Sequence, residues 1–341
     1  SDVISSVYGI DTGPLVTNRP FSNDRYFVRG DWQITDDHRF EATYQRLEEG
    51  STVADDLFTG SSPQAVGQNT FRISGTKSNY YSGRLYSQWT DNFSTEVRYS
   101  RSEVQDLQDP IGGGEAQSAN PIPRIIVGID NPPLGSSPFG QSPPDATILA
   151  GPGFSRSAND LQTQVDLFRT VANLDAGNHR FKLGFEVNRA EIFNLFVQNA
   201  TGTLVFRNIA DLEAGLLSPG TGNNLTDTRP FNVIPGRTEG AFGNFSRTGD
   251  VTDAAADFVR TIYSIYAQDD WRVSDRLNVV LGIRADLFSG SRPDVNPNYI
   301  ARYGFPNTTG FSDIDPVILP RLGFTYDFDD FAVFSAAQVH G

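Results

Sequence analysis

Residues 260–290 read RTIYSIYAQDDWRVSDRLNVVLGIRADLFSG and show the clearest structural pattern of the chain. Going in, alternate residues are apolar and share one face, with Asp269 the single exception: Tyr263, Ile265, Ala267, Trp271 and Val273. Coming back, that face continues through Leu277, Val279, Leu281, Ile283, Ala285 and Leu287. Because side chains alternate between the two faces of a strand, the stretch predicts a hairpin with one apolar and one polar face. Each strand runs to about a dozen residues, enough to cross a bilayer's hydrocarbon core when tilted.

Four other segments repeat this pattern, so about ten strands in five hairpins are predicted. The hairpins cover residues of about 24–47, 80–102, 160–192, 260–290 and 321–341. Their short turns contain Asp36-Asp37, Asp91-Asn92, Gly177-Asn178 and Asp329-Asp330. All 20 prolines fall outside these segments. Proline cannot donate to a strand ladder, so its placement supports the assignment independently of hydrophobicity.

The hairpins are joined by long segments of about 48–79, 103–159, 193–259 and 291–320. Short turns that alternate with long loops are typical of an outer-membrane barrel, with the turns at one rim and the loops outside. The predicted fold class is therefore all-β, an antiparallel transmembrane β-barrel with long extracellular loops, and residues 1–341 form part of one such domain. A ten-stranded open sheet would leave two unpaired edges in lipid, so we expect an interior part of a larger barrel.

Composition excludes several classes of function. No run approaches the roughly 18 apolar residues of a membrane helix. Cysteine is absent, which rules out disulfides, thiolate metal sites and cysteine nucleophiles. The net charge of −14 disfavours nucleic-acid partners, which require a basic surface. Methionine is absent too, so we expect a processed product or a fragment.

The three tryptophans, Trp32, Trp89 and Trp271, all lie on the apolar faces shortly before short turns. If those turns share one membrane surface, the three indoles form an aromatic belt at the boundary between water and lipid. Asp269, close to Trp271, is then expected at the edge of the membrane rather than at mid-depth. Trp residues favour strands in general, and a β-sandwich could place three of them in the same way.

No enzymatic chemistry is predicted. His38 and His179 lie in turns and His340 near the end of the chain, where solvated surface roles are the common ones. The acidic pairs lack the alternating spacing of a calcium loop, and no catalytic, cofactor-binding or metal-ligating residue is assigned. Asn208 precedes a helical spacing of apolar residues that predicts a short helix over a loop. Five arginines on the polar faces could contact a substrate, but we expect most of them to pair with acids across neighbouring strands: Arg29, Arg84, Arg98, Arg272 and Arg284.

The motif YSIYAQDDWRVSDRLNVVLGIRADLF resembles the barrel hairpin of TonB-dependent outer-membrane receptors. FVRGDWQITDDHRFEATY, NIADLEAGLLSPG and PRLGFTYDF resemble the Oar-like group of that family. The resemblance implies energy-coupled uptake of a ligand through the outer membrane of a Gram-negative bacterium. It also implies a complete protein with a plug domain that contacts the inner-membrane TonB complex. This chain shows no plug and no TonB-contacting segment, and it has about ten strands where the family's barrels are described as 22-stranded.

The expected partners are outer-membrane lipid, an unidentified ligand and, through a plug outside this chain, TonB. The residues that bind the ligand are not identified by the sequence. Two other functions stay open at this point. One is a structural or adhesive surface barrel, with which the hairpins are equally compatible. The other is a secreted soluble β-sandwich that binds a ligand, which would require the apolar faces to be buried against a second sheet.

Overall fold

The computed structural model describes residues 2–14, 16–55, 63–129, 146–217, 241–242, 249–292, 294–308, 310–328 and 337–340. In chain order the elements are α1 (Asp2–Tyr8), β1 (Phe21–Thr35), β2 (His38–Ala54), β3 (Gln64–Val66), β4 (Phe71–Thr90), β5 (Phe93–Leu107), β6 (Arg124–Ile129), β7 (Ala146–Ala150), β8 (Asn159–Ala176), β9 (His179–Phe196), β10 (Thr203–Phe206), α2 (Ile209–Ala214), β11 (Ala241–Phe242), β12 (Ala256–Arg272), β13 (Leu277–Gly290), α3 (Pro297–Tyr303), β14 (Val317–Phe328) and β15 (Ala337–His340).

Ten of these strands form one sheet, in the order β1-β2-β4-β5-β8-β9-β12-β13-β14-β15. Every neighbouring pair is antiparallel, and each hairpin pairs with the next hairpin along the chain. The prediction of about ten antiparallel strands is thus confirmed. The apolar side chains of the alternating pattern share one side of this sheet, the apolar face, and the polar ones share the other, the polar face.

The first two short turns share a glutamine whose side chain binds the backbone of the turn. Gln33 and Gln88 each precede a Thr-Asp pair by two residues, and the ladder is irregular between each glutamine and its threonine. The Gln33 side chain donates to the Thr35 carbonyl at 2.6 Å, and Gln88 donates to the Thr90 carbonyl at the same distance. This side-chain bond satisfies a carbonyl that the irregular ladder leaves unpaired. The third turn instead uses Gly177, whose φ of +61° suits the glycine position of a two-residue hairpin.

Successive hairpins are offset in one direction. The first residue of each returning strand pairs with a residue of the next hairpin's outgoing strand, and that residue lies one to three positions before the strand ends. His38, for example, stands opposite Ser87, and His179 stands opposite Trp271. The average offset is about one residue per strand. With a rise of about 3.3 Å per residue and a spacing of about 4.8 Å between strands, this offset corresponds to a tilt of about 35°, the value typical of barrels.

Backbone hydrogen bonds repeat this offset along the rim of short turns. The carbonyl of one turn accepts the amide of a residue in the next hairpin each time: Asp37 from Gln88, Asn92 from Asp175, Asn178 from Arg272 and Arg276 from Asp327. The distances lie between 2.8 and 2.9 Å. Because each turn is tied to its neighbour, the rim holds the strands in a fixed register.

The strands extend beyond the predicted hairpins. β4 begins at Phe71 and β12 at Ala256, and β2 continues to Ala54. Apart from Phe71 and Ile73 at the start of β4, the apolar face of these extensions carries mostly polar or small residues, so the alternation that identifies a strand in the sequence is weak there. Pro320, which the sequence places outside the hairpins, lies within β14 opposite Ile283. In the described chain, β15 pairs only with residues Thr325–Phe328, so one side of β14 has no neighbouring strand at Pro320. The amide hydrogen that proline lacks therefore costs no ladder hydrogen bond. The predicted turn at Asp329-Asp330 falls outside the described residues.

Three of the predicted long loops and the N-terminal segment fold together into a second unit, which we call the cap. The cap contains a five-stranded sheet in the order β11-β10-β6-β7-β3, with parallel and antiparallel pairs. α1 and α2 pack beside it, and the Tyr8 hydroxyl donates to the Leu212 carbonyl at 2.6 Å. The described residues of these three long segments between the hairpins are therefore folded and are not structureless loops.

The cap holds the largest apolar cores of the described chain. One cluster joins α1, the sheet and α2, with buried residues Ile4, Ile125, Val127, Ala150, Phe206 and Leu212. A second lies on the other side of the sheet and contains Ile126, Leu149 and Val205. A third cluster, Ala158, Leu195 and Ala200, joins the cap to the ends of β8 and β9. The cap is a packed unit attached to the rim opposite the short turns.

Candidate functional site

The apolar face carries a continuous exposed band. Its side chains are accessible to an extent that no soluble core would show: Leu322 is 74% exposed and Trp32 is 64% exposed. In a β-sandwich this face would be buried by a second sheet. No second sheet covers it within the described residues, so the band suits contact with lipid. Among the described residues, no helix is long and apolar enough to cross a membrane.

The three predicted belt residues lie on this band near the short turns. Trp32 stands opposite Phe40, Trp89 is followed by the last residue of β4, and Trp271 is followed by the last residue of β12. Following the directly paired residues from strand to strand, Trp32 of β1 leads to Ile265 of β12, six strands away. Because the strands are offset by about one residue each, the tilt brings Trp271, six residues farther, to the level of Trp32. A shared membrane depth for the three indoles remains a prediction.

Asp269 also lies at this end of the band, two residues before Trp271. Its Oδ2 atom lies 2.7 Å from His179 Nδ1, and the imidazole stacks on the Trp271 indole with centroids 5.3 Å apart. His38 meets Trp89 edge to face, with centroids 5.0 Å apart. Both histidines are therefore parts of the aromatic rim, and neither is placed beside a nucleophile by these contacts.

The polar face is organised around Tyr266 of β12, which stands opposite Gly184 of β9. A Cβ atom at Gly184 would lie 2.0 Å from Tyr266 Cζ, so the phenol ring covers the glycine. Aromatic side chains commonly cover glycines in sheets in this way. The missing side chain at position 184 therefore sets the orientation of Tyr266.

Tyr266 links two arginines to one carboxylate. Arg169 donates to the Tyr266 hydroxyl at 3.3 Å, and that hydroxyl lies 3.4 Å from Glu186. Arg169 and Arg284 approach the Glu186 carboxylate at 3.2 and 3.4 Å, one at each oxygen. Arg284 also donates to Ser264 at 2.7 Å. The Glu186 carboxylate is shared by both guanidinium groups, and Arg284 is held further by Asp286 at 2.8 Å and by the Tyr266 ring, whose centroid lies 5.9 Å from it.

This group borders a recess of about 320 Å³ on the wall. The charged residues that line it are Arg169, Lys182, Glu186, Arg284 and Arg321. Four cations and one carboxylate line the recess, and Asp286 pairs with Arg284 at 2.8 Å. Positive charge is still in excess there, so the recess favours an anionic group. Sequence reasoning names Arg284 but not Arg169, Lys182 or Arg321. Arg169 lies in the outgoing strand of the third hairpin, whose alternation is irregular, and only the register brings it beside Tyr266.

Of the other predicted arginines of the polar face, Arg29 and Arg84 pair with acids on the neighbouring strand, and Arg98 and Arg272 do not. Arg29 lies 2.8 Å from Asp31 and 3.0 Å from Glu41, and Arg84 lies 3.5 Å from Glu96. Arg98 donates to the Tyr80 hydroxyl at 2.6 Å rather than to an acid. Arg272 pairs with Asp275 in the fourth turn. These pairs line the wall with alternating charge.

Burial alters the acidity of carboxyl groups in and below the cap. Desolvation raises the pKa of Glu115, and the negative charge of Asp109 raises it further, against a hydrogen bond from its own backbone. Desolvation also raises the pKa of Asp109, with a contribution from Asp160, and that of Asp211 against the opposing charge of Arg207. Glu115 Oε2 is buried without a hydrogen-bond partner. No group of three His, Asp or Glu residues that could hold a metal ion is present in the described ranges.

A tilted antiparallel sheet with an exposed apolar band, a charged opposite face and a packed cap defines the wall of a transmembrane β-barrel. The family described as outer membrane beta barrel domain matches residues 12–337. The chain belongs to this family and lies in the outer membrane. The soluble β-sandwich left open by the sequence is thereby excluded.

Solved structures of outer-membrane proteins have a similar fold. The outer membrane transporter YddB from Escherichia coli is 13% identical, with a TM-score of 0.47 over 90% of this chain and 30% of that one. FpvA of P. aeruginosa, bound to a heterologous pyoverdine, is 11% identical, with a TM-score of 0.48 over 92% of this chain and 34% of its own. The alcaligin receptor FauA from Bordetella pertussis is 10% identical, with a TM-score of 0.46 over 91% and 34%. The chain spans about a third of these proteins, and no curated protein sequence matches it significantly.

Proposed function

We propose that the chain is part of the barrel of an Oar-like TonB-dependent transporter that takes up a ligand through the outer membrane. The complete protein would include a plug domain, and energy delivered through TonB would displace the plug and admit the ligand. The barrel performs no covalent chemistry. Its polar face and its cap bind and guide the ligand.

The observation that carries the proposal is the cationic recess on the polar face. Gly184 and Tyr266 preorganise it, and Glu186 holds Arg169 and Arg284 in fixed positions. A wall that only formed a scaffold would not require four cations around one carboxylate. An anionic group of a ligand or of the plug would meet Lys182 and Arg321 there, since these two cations are not bound to the carboxylate.

The experiment uses the full-length gene product in its own cells. Depletion of solutes from the medium is followed by mass spectrometry in wild-type cells, in cells without the gene and in cells without TonB. We expect at least one solute to be depleted only when both the gene and TonB are present. Gene-dependent uptake that persists without TonB, or a full-length product without a plug domain, would overturn the proposal.

Charge variants of the recess separate transport from adhesion. Lys182→Gln with Arg321→Gln should lower the gene-dependent depletion by roughly tenfold, the effect of losing about one charge-assisted contact. Surface abundance of the protein serves as the control. A structural or adhesive barrel would keep its cell contacts in this variant and would show no TonB-dependent depletion in any strain.

A further inference from the structure

A short sequence repeat marks three returning strands. β2 contains Tyr44-Gln-Arg46-Leu-Glu48, and β5 contains Tyr99-Ser-Arg101-Ser-Glu103. β9 carries the same order with valine first, Val187-Asn-Arg189-Ala-Glu191. Alternate residues share a face, so in each strand the Tyr or Val, the Arg and the Glu follow one another on the apolar face. The repeat lies where the apolar band ends on the side of the cap.

The arginines lie at the height of a membrane boundary. Arg46 and Arg101 each lie eight residues beyond the first residue of their strand, and Arg189 lies ten residues beyond. At about 3.3 Å per residue and a tilt of about 35°, these positions are about 22 and about 27 Å above the short turns. The lipid-facing band of an outer-membrane barrel is about 25 Å tall. The guanidinium groups therefore lie where the hydrocarbon core ends and headgroups begin.

Two layers of charged residues follow the apolar band in the direction of the cap, and the first, nearer layer is cationic while the second, farther one is acidic. The first contains Arg46, Arg101 and Arg189, together with Asn79 opposite Arg46 and Asp166 opposite both other arginines. The second contains Glu48, Glu103 and Glu191, together with Lys77 and Gln164 opposite two of them. The first layer thus carries a net positive charge next to the lipid. This order suits anionic groups located at the boundary itself.

The acidic partners leave the arginines able to bind a second anion. Arg46 donates through Nη2 to Glu48, Arg101 through Nε to Glu103, and Arg189 through Nη1 to Glu191. Each glutamate lies two residues farther from the band than its arginine, so these three ion pairs are formed on the side away from the lipid. Arg101 also donates through Nη2 to Gln164, and its Nη1 lies 3.8 Å from Asp166 in its own layer. A guanidinium has five donors, and the arginine side chains are 33 to 42% exposed. Donors remain that can face the boundary.

We propose that Arg46, Arg101 and Arg189 bind the phosphate groups of lipid headgroups in the leaflet on the side of the cap. A lipid suits this surface better than a protein, because the band directly below each arginine is apolar and accepts acyl chains: Phe40, Leu85, Val97 and Phe185. The guanidinium fork matches phosphate geometry, and the tyrosines below it occupy the interface that phenols favour. The glutamates orient the arginines and do not touch the lipid.

The test uses full-length protein in detergent micelles mixed with diphosphoryl lipid A or with its dephosphorylated form. Retained lipid is counted by native mass spectrometry. Wild-type protein should retain the phosphorylated lipid preferentially, and the triple variant Arg46→Gln, Arg101→Gln, Arg189→Gln should lose this preference by roughly tenfold or more. Arg98→Gln, on the polar face of β5, is the matched control and should retain the preference. Millimolar inorganic phosphate should not displace the lipid, since the acyl chains contribute to its binding.

Three results would overturn the proposal. They are equal retention of both lipids by the wild type, an unchanged preference in the triple variant, and full displacement by inorganic phosphate, which would indicate a site for free anions. If the triple variant does not reach the heat-modifiable folded form, single variants at Arg46 and Arg101 replace it. Each single variant should then weaken the preference, and a preference unchanged in both would likewise count against phosphate binding.

Discussion

His179 Nδ1 and Asp269 Oδ2 lie 2.7 Å apart, on neighbouring strands at the rim of short turns. The pair places the carboxylate that interrupts the apolar face of residues 260–290 against the first residue of β9, where Trp271 and Phe181 flank the imidazole. The Asp269 side chain is 19% exposed. An acid that breaks the apolar pattern in the sequence is therefore partnered in the structure, close to the end of the strand.

Removing one partner of this pair should destabilise the barrel. Asp269→Ala leaves the imidazole without its acceptor, and we expect a loss of about 1–3 kcal/mol. The folded fraction can be followed by heat-modifiable mobility on gels. Asp275→Ala, in the exposed ion pair with Arg272, should change stability little. A double variant of Asp269 and His179 should lose less than the sum of its single variants, and additive losses would show that the contact contributes nothing.

Gly184→Ala adds a single methyl group, but it should displace the Tyr266 side chain on the polar face. Its Cβ would overlap the Tyr266 ring, which must move away and release Arg169 and Glu186. We expect a loss of about 1–3 kcal/mol, comparable to overpacking a core. Gly282→Ala, on the same face but with its nearest atoms at 3.5 Å, is the control. Equal stability of the two variants would mean that Tyr266 does not depend on the glycine.

Ile126→Ala should unfold the cap without unfolding the barrel wall. Ile126 is 1% exposed in a cluster confined to the cap sheet, and truncation of such a residue costs about 2–5 kcal/mol. External protease should then cleave the cap in intact cells, while the wall retains its heat-modifiable mobility. Leu216→Ala, at an exposed position after α2, should leave the cap resistant. Loss of the wall together with the cap would show that the two fold as one unit.

Acidification should stabilise the cap. The pKa of Glu115 is raised in the folded state, so its contribution to stability is fully present below the pKa of the unfolded chain, about 4.3, and is lost as the pH rises through the folded value. The protection factors of the cap amides, which correct the exchange rates for their intrinsic dependence on pH, should therefore be larger at pH 5 than at pH 7. Glu115→Gln should slow exchange at pH 7, with a gain of up to about 1 kcal/mol, and flatten the dependence. Faster exchange at pH 7 in this variant would contradict the assignment.

The strands of the wall could be predicted because their cause is local. Alternation in residues 260–290, the placement of proline and the polar turns all depend on neighbours along the chain. The same reasoning could not predict the cap. Its strands have two to six residues and lie in segments rich in proline and glycine, so no period can be read from them. The apolar run Ile125–Ile129 was the available signal, since a short unbroken apolar run is consistent with a buried strand.

Some residues of the candidate site could likewise be predicted from the local pattern, and others could not. Arg284 and Tyr266 could be assigned to the polar face from the alternation of the 260–290 hairpin. Arg169, Lys182 and Arg321 come from other hairpins, and only the pairing of β8, β9, β12, β13 and β14 brings them to one recess. Pairing depends on contacts between residues far apart in the chain, which a single sequence does not display.

Alternation along the chain is enough to assign the side chains of the wall to the lipid side or the polar side, because successive side chains of a strand point to opposite faces. The offset of about one residue per strand, the ring of Tyr266 over Gly184 and the assembly of the cap arise only in the folded chain. Each of these depends on which strands become neighbours and in what register. The 260–290 hairpin carries the pattern of the wall, and its neighbours decide what that wall can bind.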